Sequence, residues 1–314
     1  MKSLRLRAIF QPVKQLVIFC LATAFFLSAL PCQGDVVFIH DHKLKEYLIG
    51  EKDADLAVAY TTEGAMFVDK KTRYTGSLMR RIFGKVEENR ETTRFLLDRN
   101  QIREIDWYRD KIIVYPFENL TDSVWIQQKD GNYEAAQKIL KGRYRVSDPV
   151  FSIKRFPEKV KINEYLCIRV EANLRLETED LKKNAASVTL INQQLWISDT
   201  VPGFELYHNF HKKLAEKLGL DAARLGSLNF LLRYWKGSLD PIRESLNDIR
   251  GYSVKSILTV DGQYIKDRNT DSPKLHSFQV KKESVQLREI HLEKMDKTRF
   301  EEPAGFKVVI SKPK

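Results

Sequence analysis

Cysteine is scarce in this 314-residue chain, which has three. Two of them, Cys20 and Cys32, fall in an amino-terminal stretch that reads as a leader, and Cys167 is left with no intramolecular partner. A disulfide framework is therefore excluded, and stability has to come from a packed core. A glycine-rich phosphate loop is absent, and so is any set of nucleophile, base and metal ligands in a recognisable spacing. The apolar run from Leu16 to Leu30 falls short of the ~20 residues that a membrane span needs. Basic residues are interspersed with Asp and Glu, so the charge surplus reads as a solvated surface and not as a nucleic-acid or membrane patch.

The leader is informative. Lys2, Arg5, Arg7 and Lys14 precede the apolar run, and Gly34 stands before Asp35 where a signal peptidase could cut. Cys32 follows Pro31, not the small residue a lipobox requires. Residues 1–34 read as a signal peptide, making the protein exported, periplasmic and soluble after cleavage, with an uncleaved anchor as the alternative. Without that segment the formal charge falls from +11 to +7. Residues 35–314 suffice for one large domain or two small ones.

From Asp35 to Phe117 the pattern is a strand series: Leu56, Val58 and Tyr60; Met66 and Val68; Phe95 and Leu97; Ile105 and Trp107; Ile113 and Tyr115. The breaks at Asp98–Gln101 and Tyr108–Lys111 are short enough for hairpin turns. Gly76 to Arg94 is charged and reads as a connection. Periodicity fades from Glu118 to Pro157, as for an insertion at about 118–157. Strands resume at Lys161–Glu171 and Ser187–Asp199, with the polar stretch Glu177–Asn184 between them.

Helical spacing follows the Pro202-Gly203 corner. Phe204, Tyr207, Phe210, Leu214 and Leu218 share a face, and Gly219 is a stop. A second helix is expected from Asp221, with Leu225, Leu228, Leu232 and Trp235. A third is expected from cap Asp240 and Pro241, with Ile242, Leu246 and Ile249. Strand patterning returns at Tyr252–Val260, Phe278–Leu292 and Phe306–Ile310. The expected fold class is α+β, a curved antiparallel sheet from both ends of the chain with helices covering one face.

The segments Arg94–Asp98, Lys111–Tyr115, Ile162–Cys167, the Trp196–Phe204 corner and the closing Glu301–Phe306 resemble the exported bacterial family named domain of unknown function 4412. That family is similar to the LolA and LolB type of periplasmic lipoprotein carriers. Glu164 departs from it, standing where a glycine before the tyrosine is usual, and the 118–157 stretch is longer than in the family. The resemblance implies a single domain over 35–314, an open, incomplete β-barrel whose concave face, covered by helices, holds an acyl chain or another apolar group. Such a groove binds by burying hydrocarbon, at roughly 0.8 kcal/mol per methylene.

On the strand and helix patterns, Ile105, Trp107, Ile113, Tyr115 and Trp196 are candidates to line it, opposite Phe204, Tyr207 and Phe210 from the first helix. The same residues would equally serve as a filled core. His40 and His42 share a strand face, and His208 and His211 lie three apart on a helix, but neither pair has a third ligand in view, so no metal is expected. His211, between Phe210 and Lys212-Lys213, reads as a solvated or boundary residue. Cys167 reads as a buried small residue. The expectation is a non-catalytic protein without a cofactor, acting on a hydrophobic ligand, with no nucleic-acid partner and with peripheral membrane contact allowed. The alternative is an envelope sensor or scaffold that binds a protein partner through a solid version of the fold.

Overall fold

The computed structural model describes residues 34–47, 50–75, 89–119, 143–218, 250–270, 272–295 and 302–311. The first strands are β1 (Val36–Glu46), β2 (Gly50–Tyr60), β3 (Ala65–Tyr74), β4 (Asn89–Leu96), β5 (Gln101–Asp106) and β6 (Lys111–Pro116), followed by a 3-10 turn at Phe117–Asn119. Next come β7 (Tyr144–Val146), β8 (Val150–Ile162), β9 (Tyr165–Asp180), β10 (Ala185–Ser198) and the helix α1 (Phe204–Leu218). The chain then returns to the sheet as β11 (Tyr252–Lys266), β12 (Lys274–Leu292) and β13 (Lys307–Ile310). All thirteen strands belong to one sheet, in the order β13-β6-β5-β4-β3-β2-β1-β12-β11-β10-β9-β7, with β8 also on β9. Pairing is antiparallel except for β13 on β6.

Hairpins dominate because the turns carry residues suited to them. Asn100, Asp110, Asn163 and Asn184 hold positive φ between consecutive strands, a conformation that Asn and Asp tolerate better than other side chains. In the β8–β9 turn Asn163 takes the left-handed position, so Glu164 needs no glycine-like conformation.

The expected helical cover is corrected by this architecture. Among the described residues there is one α-helix on a thirteen-stranded sheet, so the domain is mostly sheet and helices do not cover a concave face extensively. The expected second and third helices fall largely at 219–249, outside the described residues. The sheet content was under-read for a physical reason. From Lys274 to Val280 every residue of β12 is exposed, and β8 is exposed along most of its length. A strand with both faces in water has no apolar alternation to detect. For the same reason Glu177–Asp180, expected as a break, continues β9, and the stretch from Tyr144 expected as part of an insertion forms β7 and β8 against β9. Residues 120–142 and 76–88 lie outside the described residues.

The sheet curls. Asn163 Nδ2 donates to the Leu287 carbonyl at 2.9 Å, although β10 and β11 lie between their strands and three flat spacings would come to ~14 Å. The inner face carries the principal core. Val36 and Phe38 of β1, Tyr60 of β2, Met66 of β3, Ile102 of β5, Tyr252 of β11 and Leu287 of β12 pack with Phe204, Phe210 and Leu214 of α1. Smaller clusters sit on the reverse of the first strands: Val37, Ala59 and Phe67 in one, and Ile105, Ile112 and Val114 in another. Among the described residues no helix is long and apolar enough to cross a membrane.

Candidate functional site

The site is built where β1 runs beneath α1. Strand alternation points Val36, Phe38, His40 and His42 to the same face, and all four are buried. Phe38 stacks on Tyr252, with centroids 4.1 Å apart, and meets Tyr60 edge to face at 6.0 Å. Stacking across the intervening β12 again requires a concave face. From α1, Tyr207 stands over the pair, 5.5 Å from Tyr60 and 5.1 Å from Tyr252.

Two of the hydroxyls in this aromatic wall meet histidines. Tyr252 Oη lies 2.8 Å from His40 Nε2, and Tyr60 Oη lies 3.1 Å from His211 Nε2. Burial pushes the Tyr207 phenol up to about 12 and raises those of Tyr60 and Tyr252 well above their ordinary value. Burial likewise lowers both histidines to about 4, so at neutral pH they are uncharged and suited to accept from a tyrosine hydroxyl. His211, expected at a solvated or boundary position, is half-buried, with its ring against Tyr60, Tyr207 and Phe210.

A pH dependence follows. A histidine whose folded pKa lies below its unfolded value contributes stability that is present above about 6.5 and is lost as pH falls toward 4. Between pH 7 and pH 5 the loss is expected to be on the order of 2 kcal/mol from His40 alone. Urea midpoints measured across this range in wild type and His40→Gln check it; an unchanged wild-type midpoint would contradict the burial of a neutral imidazole.

Beyond His40 the inner face turns polar. His42 Nε2 lies 2.8 Å from Glu283 Oε1, off the line of a good hydrogen bond, and Lys281 Nζ lies 2.6 Å from Glu283 Oε2. Burial would raise the Glu283 carboxyl, but the close contact with the His42 ring and the Lys281 ammonium overcomes that and holds it at about 2. The Gln193 amide, 3 % exposed, donates to Ser256 Oγ at 2.6 Å, and its Oε1 has no partner.

The eight residues expected to line a groove are only partly brought together. Phe204, Tyr207 and Phe210 belong to the inner cluster, and Tyr115 and Trp196 pack against its rim. Ile105 and Trp107 lie in the cluster on the reverse face, with Trp107 against Phe306 at 5.4 Å and donating to Thr92 Oγ1 at 2.8 Å. Ile113 is half-buried beside neither pair. The division follows from register: Ile102 pairs with Tyr115 while Ile105 pairs with Ile112, which are alternate rows of the same hairpin. Phe38, Tyr252 and Gln193 were not singled out in the sequence, Tyr60 was read only as a strand residue, and His42 was weighed only as a metal ligand. Their available signal was the alternation of Val36, Phe38, His40 and His42. Cys167 is fully buried, as read, and burial raises its thiol.

With this geometry in view, the chain was compared with known proteins. No protein-family model matches it, so membership of the domain of unknown function 4412 is not confirmed, and no curated protein matches. Several solved structures are similar, three of which are described. An outer membrane lipoprotein-sorting protein domain from Vibrio parahaemolyticus has 9% identity and a TM-score of 0.29 over 86% of this chain and 90% of its own. A LolA superfamily protein from Nitrosomonas europaea has 8% identity and a TM-score of 0.23 over 86% and 91%. A DUF1329 family protein from Desulfovibrio piger has 7% identity and a TM-score of 0.16 over 88% and 94%. One of the three is named as a LolA superfamily protein, and all three scores are too low to bear on fold or function.

Proposed function

We propose that the protein is a non-catalytic, exported binder of an apolar ligand, such as a lipid or the acyl chain of a lipoprotein, held on the inner face beside α1. The observation that carries this reading is an apolar strip left only partly covered at the edge of the core. Val58, Val68, Phe95 and Tyr115 are half-buried on four successive parts of the inner face and pack against the buried cluster. Val58 and Val68 are directly opposed across β2 and β3, and Phe95 pairs with Met66 one step away. A contiguous apolar strip with few polar groups is the usual lining of a small-molecule site. Helix α1 would act as its movable side, tied to the sheet rim by polar contacts from Lys217 to Asn100 at 2.7 Å and anchored at its start by Glu205 and Arg250. The leader supports placement in the periplasm.

Purification of the exported protein without detergent, followed by native mass spectrometry and organic extraction, tests the proposal. A stoichiometric lipid or acyl adduct is expected. Val68→Lys should weaken binding of a fluorescent fatty acid at least tenfold, because a charge in the strip has to be desolvated when the chain binds, while the thermal midpoint moves by only a few degrees. Protein without adduct and without uptake of the probe would sink the proposal.

The second reading, an envelope protein with a protein partner, is favoured by a different feature. Tyr47, 68% exposed, lies 5.7 Å from the exposed Phe278, with exposed Tyr264 and Leu275 on the same β11–β12 hairpin. Cross-linking in the envelope, with and without Tyr47→Ser and Phe278→Ser, distinguishes it.

A further inference from the structure

An open strand edge is unpaired backbone, and proteins blunt such edges with charge, proline, a bulge or shortness. The terminal edges of this sheet are blunted in those ways. β13 has four residues, Lys307–Ile310. β8 carries Lys154, Arg155, Lys159 and Lys161, with Pro157 in the break of register between Phe156 and Lys159. One edge is different. β1 pairs with β12 only as far as Lys281, and the Tyr47 amide donates to the Val280 carbonyl at 3.0 Å just beyond. From there to Lys274, β12 continues on β11 alone among the described residues. In an antiparallel ladder, alternate residues of such a stretch turn N–H and C=O away from the one neighbour they have.

The stretch reads Lys274-Leu275-His276-Ser277-Phe278-Gln279-Val280, and every residue in it is exposed. It has no proline and no acidic residue, and its one lysine stands at the far end. The bulge of β12, at Val280, lies at the inner end and leaves Lys274–Gln279 regular. The apolar side chains are positioned but uncovered. Phe278 pairs with Gly262, where a Cβ would lie 2.5 Å from Cζ of the ring. The ring therefore rests across β11, and it is still 45% exposed. Tyr47 flanks it at 5.7 Å, and Leu275 is exposed as well.

This segment is complementary to itself. Set antiparallel against a copy with Ser277 on the two-fold axis, His276 faces Phe278, Leu275 faces Gln279 and Lys274 faces Val280, so no like charges meet. The His276 and Phe278 rings then form the same cross-strand pair twice. The gap beyond the end of β1 is as long as the strand that fills it, because the same seven residues supply both. Such a contact is isologous and closes at two copies, so the unblunted edge of each chain is used up.

We propose that the outer half of β12 is a homodimer interface, in which Lys274–Val280 of two copies of this chain pair antiparallel and join their sheets edge to edge. A second copy is then the partner of the exposed end around Tyr47 and Phe278. The interface leaves the strip beside α1 untouched, so the inference does not depend on the acyl-binding reading.

Sedimentation velocity of the exported protein over a range of concentrations tests the pairing without any ligand. A reversible monomer–dimer equilibrium is expected. The double variant His276→Lys/Phe278→Lys sets lysine against lysine twice and should weaken the dimer about tenfold. His276→Lys/Phe278→Glu sets opposite charges in the same places and should retain it. Ser277→Cys should form an intermolecular disulfide under mild oxidation, since directly opposed Cβ atoms lie roughly 4.5–5.5 Å apart, close to what a disulfide needs. Gln279→Cys, which faces Leu275, should not. Cys167 is fully buried and does not compete, and the wild type oxidised in parallel controls for the remaining cysteines. All these positions are exposed, so the variants are expected to fold; if the lysine pair does not, the cysteine comparison decides. A monomer at every concentration overturns the proposal, even where Tyr47 and Phe278 cross-link to another envelope protein, which is then the partner. So does a dimer that the lysine pair leaves intact, or one that Gln279→Cys cross-links as readily as Ser277→Cys.

Discussion

Gly203→Val is expected to destabilise the protein by about 4 kcal/mol, one of two large effects that originate in the corner and core beneath α1. Gly203 has φ +80°, in the left-handed region. There an L side chain costs roughly 1–2 kcal/mol and a β-branched one is a true outlier. A Cβ would also lie 2.5 Å from Cγ2 and 2.8 Å from Cβ of Val36. Val36 cannot give way, because it is fully buried on β1 and clamped between β2 and β12. Relief would need a shift of the corner that launches α1, whose first turn is closed by amides of Leu206 and Tyr207 donating to the Gly203 carbonyl. Gly203→Ala meets the same Cβ contact with less bulk and should cost about 3 kcal/mol. Urea unfolding of both variants measures this; a Gly203→Ala loss below about 1 kcal/mol would mean that the corner is looser than its packing on Val36 implies.

Phe38→Ala should cost about 3–5 kcal/mol, the range for deleting a large aromatic from a packed interior. Phe38 has 0% exposure, stacks on Tyr252 and meets Tyr60 edge-on, so truncation removes both ring contacts and leaves a hole under Tyr207. Phe38→Leu fills much of that hole and should cost less than half as much. The result bears on function as well as stability. A full loss means that the centre of the inner face is solid and that a ligand is confined to the strip beside it. A loss under about 1.5 kcal/mol would mean that the wall yields or is already hollow, and the groove would extend beneath α1.

How far the fold could be read in advance depends on which elements are examined. The β4–β5–β6 meander was legible because each strand has an apolar face and each turn a short polar break, and the register bears out the two hairpins. Helix α1 was legible for the same kind of reason. Phe204, Phe210 and Leu214 are buried as their spacing requires, and Tyr207 and Leu218 pack against the same cluster. The failures lie where one side of that logic is missing. The outer half of β12 and most of β8 are wet on both faces, so their sheet content left no periodic trace, and a protein that is mostly sheet was read as sheet under several helices.

The candidate site divides along the same line. Composition and local spacing, with no knowledge of tertiary contacts, determined the hairpin turns and the amphipathic face of α1, because each depends on neighbours within a few residues. Pattern could also show that Ile105, Trp107, Ile113 and Tyr115 alternate. Only tertiary structure could decide that Tyr115 meets the helix-bearing core while Ile105 and Trp107 pack behind the sheet with Phe306. It alone joined His40 to Tyr252 and His211 to Tyr60, across separations of 212 and 151 residues. Which face of a strand becomes the inside is set by the curl of the whole sheet, and no local alternation carries the sign of that curvature.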